Sequence, residues 1–166
     1  FVFFDAMREG AGELETAEAI GRICERRTGI GADGVVLLEP HPSFAFSMRY
    51  FNRDGTLAEM CGNAALCSVR LATVLGIVAP GDEMTFQTVS GPVTGRFKGG
   101  EPEIDMVPIT ELQPEFAATL EPGERRMGFA RVGVPHLVLL VDDVSTVDVV
   151  RRGRALRNLA TLRDGA

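Results

Sequence analysis

The chain has 166 residues, 45% apolar and 24% charged, and its formal net charge is −6. This is ordinary globular composition for one domain, or one and part of another. The acidic balance without a basic run argues against nucleic acid or an anionic membrane surface as the main partner, and no apolar segment reaches the roughly 20 residues of a membrane span.

In chain order, Phe1 to Asp5 reads as a short buried strand and Arg8 to Gly12 as a loop. From Thr16 to Arg27, Ala17, Ile20, Ile23 and Cys24 recur at helical spacing, with Thr16 as cap, Arg26 and Arg27 in the last turn and Gly29 as the stop. Thr28 to Gly34 (TGIGADG) is a glycine-rich turn. It lacks the closing Gly-Lys-Ser/Thr of a phosphate loop, and no strand leads into it. Val35 to Glu39 is an apolar strand, and Phe44 to Asn52 a half-buried one ending in the Asp54-Gly55 turn.

Asn63 to Leu75 is apolar almost all round, with only Ser68, Arg70 and Thr73 polar at its centre. Such a helix is expected to be central, buried on most sides, with its N-terminus as the accessible end. Met84 to Val89 and Pro92 to Phe97 pair around Ser90-Gly91, and Glu103 to Val107 follows the Gly99-Gly100 turn. Strands around one buried helix make an α+β pattern, not an alternating parallel sheet. Pro108 to Pro122 reads as a connection, dividing a first module (1–107) from the incomplete start of a second (108–166). In the second, Phe129 to Val132 is a strand, Gly133 to His136 a turn exposing His136, Leu137 to Val141 an apolar strand, and Val147 to Leu162 an Arg-rich helix. Phe1 already lies in a strand, no initiator Met precedes it, and Arg163 to Ala166 reads as a helix-ending turn. The chain is therefore expected to be a piece of a longer polypeptide.

Three irregularly spaced cysteines fit neither a disulfide framework nor a zinc pattern, so a reducing cytoplasm is the expected setting. Cys24 and Cys67 sit in apolar helical patterns and are expected to pack in the core. Cys61 stands where a helix begins. The first turn of a helix leaves backbone N–H groups unpaired and favours negative charge, which suits a thiolate or a bound carboxylate. Gly62 allows close approach to the backbone. The other reading of Cys61 is a small buried hydrophobe. Asn63 is a helix cap or a polar substrate contact, and Asn52 a strand terminator or a substrate contact. Asp33 and Asp54 read as turn formers, Asp142-Asp143 as a strand end, and Glu59 as a weaker candidate. Of the two histidines, His41 reads as a solvated loop residue. His136 lies beside an apolar run and needs a partner; with a thiol nearby, it could take part in proton transfer.

Three segments carry a resemblance: GIGADGVVLLE (Gly29 to Glu39), FNRDGTLAEMCGN (Phe51 to Asn63) and GVPHLVLLVDDV (Gly133 to Val144). Together they resemble diaminopimelate epimerase, within a superfamily that includes proline racemase, 4-hydroxyproline epimerase and the phenazine-biosynthesis isomerases. The resemblance implies two similar α+β modules, each with mixed or antiparallel strands around a central hydrophobic helix, and a site between them. It implies no metal, no pyridoxal phosphate and no other cofactor, a small amino-acid substrate, and it allows a homodimer. Two cysteines, one per module, would flank the substrate α-carbon and interconvert LL- and meso-2,6-diaminopimelate, for lysine and cell-wall synthesis.

Carried over by position, Cys61 matches the first catalytic cysteine, and Gly62 and Asn63 the amides that grip the α-carboxylate. Asn52 matches a contact to the substrate's distal end, and His136 a histidine near the reactive centre. The chain departs from the pattern at Ala64, at Leu66 (an arginine in the family), at Val134 (more often asparagine) and at Gly34 (glutamine in some members). The second cysteine, a Glu-Arg pair and further substrate contacts are expected beyond Ala166, and an asparagine before Phe1. The piece alone is therefore expected to be inactive. A proline or hydroxyproline racemase, or a non-catalytic amino-acid-binding module on the same fold, are the alternatives.

Overall fold

The computed structural model describes residues 1–159, 161 and 162. The chain divides into two compact units, Phe1–Met106 and Val107 onward.

The first unit is a mixed, seven-stranded sheet carrying two helices. Strand β1 (Val2–Asp5) runs parallel to β2 (Gly34–Glu39), and β2 runs antiparallel to β3 (Ser47–Asn52). The two-residue β4 (Leu57–Ala58) pairs only with β3. β3 also pairs in parallel with β5 (Glu83–Thr88), which leads through β6 (Gly91–Lys98) to β7 (Glu101–Ile104). Successive side chains on a strand face opposite ways, and β2 buries both. Val36 and Leu38 enter one core with Phe46, Met48 and Phe86, while Val35 and Leu37 enter another with Ile20 and Cys24. This is why residues 35–38 form an unbroken apolar run instead of an alternating one.

Helix α1 (Ala17–Cys24) closes the second core. The Thr16 side chain caps it, accepting from the Ala19 N–H at 3.2 Å. The helix ends at Cys24, before Arg26 and Arg27, which instead lie in the following turn. That turn satisfies the last carbonyls from outside: the Ile30 and Gly31 N–H groups donate to Ile23 O and the Ala32 N–H to Cys24 O.

Helix α2 (Gly62–Val74) fills the first core, but more narrowly than its composition suggests. Ala64, Ala65, Ser68, Val69 and Ala72 make one buried stripe, while Cys67, Arg70 and Val74 are exposed. Cys67 is therefore not a core residue of this unit. The buried stripe is made of small side chains, which lets the helix lie close to the sheet, and Gly95 on β6 meets it there. A Cβ on Gly95 would run into the Val69 side chain. The one hydroxyl in the stripe, on Ser68, donates to Ala64 O at 2.8 Å, so no buried donor is wasted.

The second unit has three antiparallel strands in the order β10-β9-β8. The connection expected over Pro108 to Pro122 holds the first of them, β8 (Glu111–Gln113). β9 (Glu124–Val132) is longer than its apolar centre and turns at Gly133, which takes φ +73°, into β10 (Val134–Val141). The expected turn over Gly133 to His136 is thus a tight turn at Gly133, and His136 is a strand residue. β10 is apolar yet half solvated, with Val138 and Leu140 exposed, because only alternate residues face its own unit. Helix α3 (Val149–Arg157) begins at an Asp148 cap. It starts after Val147, and the end expected for it at Leu162 reaches past the helix; Arg163 to Ala166 lie outside the described residues. Arg152 holds α3 to β9 through two bonds of 2.6 Å to the Glu124 carboxylate and one of 2.9 Å to Thr119 O. Among the described residues no helix is long and apolar enough to cross a membrane.

Candidate active site

The segment from Asn52 to Asn63 is built as turn, short strand, loop and helix start. Asp54-Gly55 makes the turn because Gly55 takes φ +83°, a left-handed conformation that suits glycine. The Asp54 carboxylate accepts from both the N–H and the hydroxyl of Thr56, at 2.9 and 2.6 Å. Those two bonds hold its carboxyl below the usual carboxylate range, the hydroxyl bond contributing most. Asn52 is part of the same turn: its side-chain amide donates to the Thr56 hydroxyl at 3.1 Å, and its backbone bonds Thr56 and Gly55. The amide nitrogen of Asn52 therefore has a structural partner.

After β4 the chain runs through Glu59 and the buried Met60 to Cys61. Cys61 is the N-cap of α2, in extended backbone (φ −143°, ψ 106°), and its side chain makes no capping bond. Its carbonyl accepts the Ala65 N–H at 2.9 Å, the first bond of the helical ladder. The N–H groups of Gly62, Asn63 and Ala64 precede that ladder and are left without a partner inside the helix. A Cβ placed on Gly62 would meet nothing within 4 Å, and Asn63 is exposed. A partly exposed thiol, open space over Gly62 and a row of unpaired amides at the positive end of a 13-residue helix form a place where a carboxylate can bind beside a sulfur.

Two residues that sequence reasoning did not single out bear on this thiol. Tyr50, on β3, is 8% exposed and packs in the same core as Met60 and Ala64, with Cys61 against its edge. Its hydroxyl donates to Asp33 O at 3.4 Å. Burial pushes the Tyr50 phenol up, and negative charge at Cys61 raises it further, so it stays neutral. Ser90, at the tip of the β5–β6 hairpin, donates to Glu59 O at 2.9 Å, two residues before the thiol. Thirty-one positions separate Ser90 from Glu59, so no local pattern could have linked them.

His136 lies on β10 in the second unit, paired with Ala130 and exposed. His41 is more engaged than a solvated loop residue: its Nδ1 accepts from the Ser43 and Phe44 N–H groups at 3.1 and 3.0 Å, and its ring stacks on Phe44. Among the described residues no group of three or more His, Cys, Asp or Glu is arranged to hold a metal ion.

The family model for diaminopimelate epimerase matches residues 1–110. A diaminopimelate epimerase of Gemmatimonas aurantiaca is 42% identical over 159 residues, covering 95% of this chain and 57% of its own length. One from Aquifex aeolicus is 37% identical over 143 residues, covering 83% of this chain and 50% of its own. The chain thus spans about half the length of these curated relatives. Among solved structures, a phenazine biosynthesis protein of the PhzF family from Enterococcus faecalis superposes over 95% of this chain and 56% of that one, with a TM-score of 0.64 at 15% identity. That likeness concerns the fold.

Proposed function

The chain belongs to the diaminopimelate epimerase family, and from that premise we propose that it supplies one half of a cofactor-independent epimerase acting on 2,6-diaminopimelate. The observation that carries the reading is Cys61 at the N-cap of α2, its thiol uncommitted, beside the unpaired amides of Gly62, Asn63 and Ala64. The substrate α-carboxylate binds these amides. The Cys61 thiolate takes the α-hydrogen as a proton, and the C–H electron pair stays on the α-carbon and spreads into the carboxylate. The helix N-terminus stabilises the charge that develops there. A second thiol, from the part of the polypeptide that the longer relatives possess, then delivers a proton to the opposite face and inverts the centre. In the reverse direction the two sulfurs exchange roles, so LL- and meso-diaminopimelate interconvert. The reaction serves lysine and cell-wall precursor synthesis.

Asn52 contacts the distal end of the substrate through its amide oxygen, its nitrogen being held by Thr56, and His136 assists proton transfer. Substrate deprotonation is measured as exchange of the α-hydrogen with deuterated solvent by the complete polypeptide. Exchange is expected on diaminopimelate and not on proline, and in Cys61→Ser the interconversion of the LL and meso forms is expected to vanish, together with exchange from the isomer whose α-hydrogen faces Cys61. LL–meso interconversion that survives Cys61→Ser, or exchange that occurs on proline alone, overturns the reading.

A further inference from the structure

Cys61 sits on a short lead with few fixings. β4, which precedes it, is two residues long and pairs only with β3. From there to the first turn of α2 the chain has Glu59, Met60 and Cys61, in neither strand nor helix. Besides the Cys61 carbonyl, which accepts the Ala65 N–H, and the Cys61 side chain at the edge of the core, two contacts hold the residues before it. The Met60 side chain is buried in the core, and the Glu59 carbonyl accepts the Ser90 hydroxyl.

The element that carries Ser90 is stiff. Val89 and Ser90 form a two-residue turn closed by the Thr88–Gly91 pair, with Gly91 at φ +117°. The Thr88 hydroxyl donates to Gly91 O at 2.7 Å, and the Gln87 amide donates to Thr88 O at 2.6 Å. Ser90 is thus mounted on a closed hairpin, and its hydroxyl reaches out of that hairpin to fix a peptide two residues from the thiol. Without that bond the peptide after Glu59 gains freedom to rotate. The backbone of Cys61, and with it the direction of Sγ, follows. Ser90 itself is exposed, so the bond contributes little to global stability.

Resting on the reading of Cys61 as the acid–base thiol, we infer that Ser90 is a positioning residue, holding the Cys61 loop in its reactive geometry through the Glu59 carbonyl. It touches no substrate. Its effect falls on the chemical step, where a displacement of about 1 Å can cost orders of magnitude in rate.

The test uses the complete polypeptide and α-hydrogen exchange on diaminopimelate. Ser90→Ala is expected to lower kcat about tenfold while KM and the thermal midpoint stay near wild type, because the lost bond orients a catalyst and binds no substrate. Ser90→Thr keeps the hydroxyl and is expected to restore kcat to within about twofold. Alkylation of Cys61, followed by peptide mass mapping, is expected to change rate in Ser90→Ala and to recover in Ser90→Thr. Wild-type kcat in Ser90→Ala, or a loss that Ser90→Thr shares, overturns the inference. Cys61→Ser is run beside them. If it no longer interconverts the LL and meso forms while Ser90→Ala keeps wild-type kcat, the role of Ser90 alone falls; if Cys61→Ser retains that interconversion, the functional reading falls and takes this inference with it.

Discussion

The ring of Tyr50 occupies the space that a side chain on Gly34 would need. A Cβ there would collide with the ring and with the Phe51 carbonyl, although Gly34 does not carry a positive φ. Glycine is required at this strand start by close packing, not by backbone conformation. Gly34→Ala is therefore expected to destabilise the chain by about 1–3 kcal/mol, the usual cost of overpacking. In the background of Tyr50→Ala, itself destabilising because Tyr50 is buried, the added cost of Gly34→Ala is expected to shrink but not vanish, because the Phe51 carbonyl still stands in the way. Chemical denaturation of the single and double variants checks this, and a neutral Gly34→Ala would refute it.

The cysteines should differ sharply in reactivity. Cys24 is 2% exposed, and burial raises its thiol above the ordinary range, so both access and thiolate fraction are low. Cys61 is partly exposed at a helix start. Iodoacetamide at neutral pH is expected to modify Cys61 at least about 100-fold faster than Cys24, since Cys24 must wait for local unfolding. Mass mapping of alkylated peptides gives both rates in one experiment. Comparable rates would mean that the core around Ile20 and Val35 opens readily.

In the second unit, Glu124 and Arg152 form a buried ion pair, with side chains 6% and 10% exposed. The Arg152 guanidinium holds the Glu124 carboxyl below the usual carboxylate range. A carboxylate whose folded pKa is depressed contributes stability above its unfolded value of about 4.3, and that contribution is lost as pH falls through the folded value. Glu124→Gln is expected to cost about 2–3 kcal/mol at pH 7, less than a fully orphaned buried charge, because Thr119 O and Glu121 still face Arg152. Hydrogen exchange of the α3 amides checks this. Wild type should also lose its advantage over the variant below about pH 4.

The legible parts of the fold were those that local chemistry decides. The Thr16 cap, the Asp54-Gly55 turn, the continuous apolar run of β2 and the hairpin around Ser90-Gly91 each rest on a few neighbouring residues. What depends on distant packing was not legible. In NAALCSVRLATVL only Arg70 marks the face bearing Cys67 and Val74 as the exposed one, and the hydroxyl of Ser68 inside the stripe of Ala64, Ser68 and Ala72 that meets the sheet offsets that signal. β8 is three exposed residues among prolines and exists because β9 pairs with it. The same limit applied at the site. The helix start and Cys61 could be read from sequence, while the contributions of Tyr50 and Ser90 arise from strands that only the fold brings to the thiol.

Asn52 separates two roles that the sequence left together. Its amide nitrogen donates to the Thr56 hydroxyl, and that hydroxyl in turn donates to Asp54, so one half of the side chain builds the turn. If the oxygen half contacts substrate, the two roles respond to different substitutions. Thr56→Val removes the partner of the nitrogen and the hydroxyl bond to Asp54 while keeping the backbone N–H bond, and is expected to cost roughly 1 kcal/mol of stability with KM nearly unchanged. Asn52→Ala removes the oxygen as well, and is expected to raise KM for diaminopimelate about tenfold in the complete polypeptide. Asn52→Asp keeps an oxygen but loses the amide donor and adds a charge beside Asp54. It should therefore weaken the turn at neutral pH and recover as the added carboxyl is protonated. Equal KM in wild type and Asn52→Ala, with both variants equally destabilised, would reduce Asn52 to a turn residue.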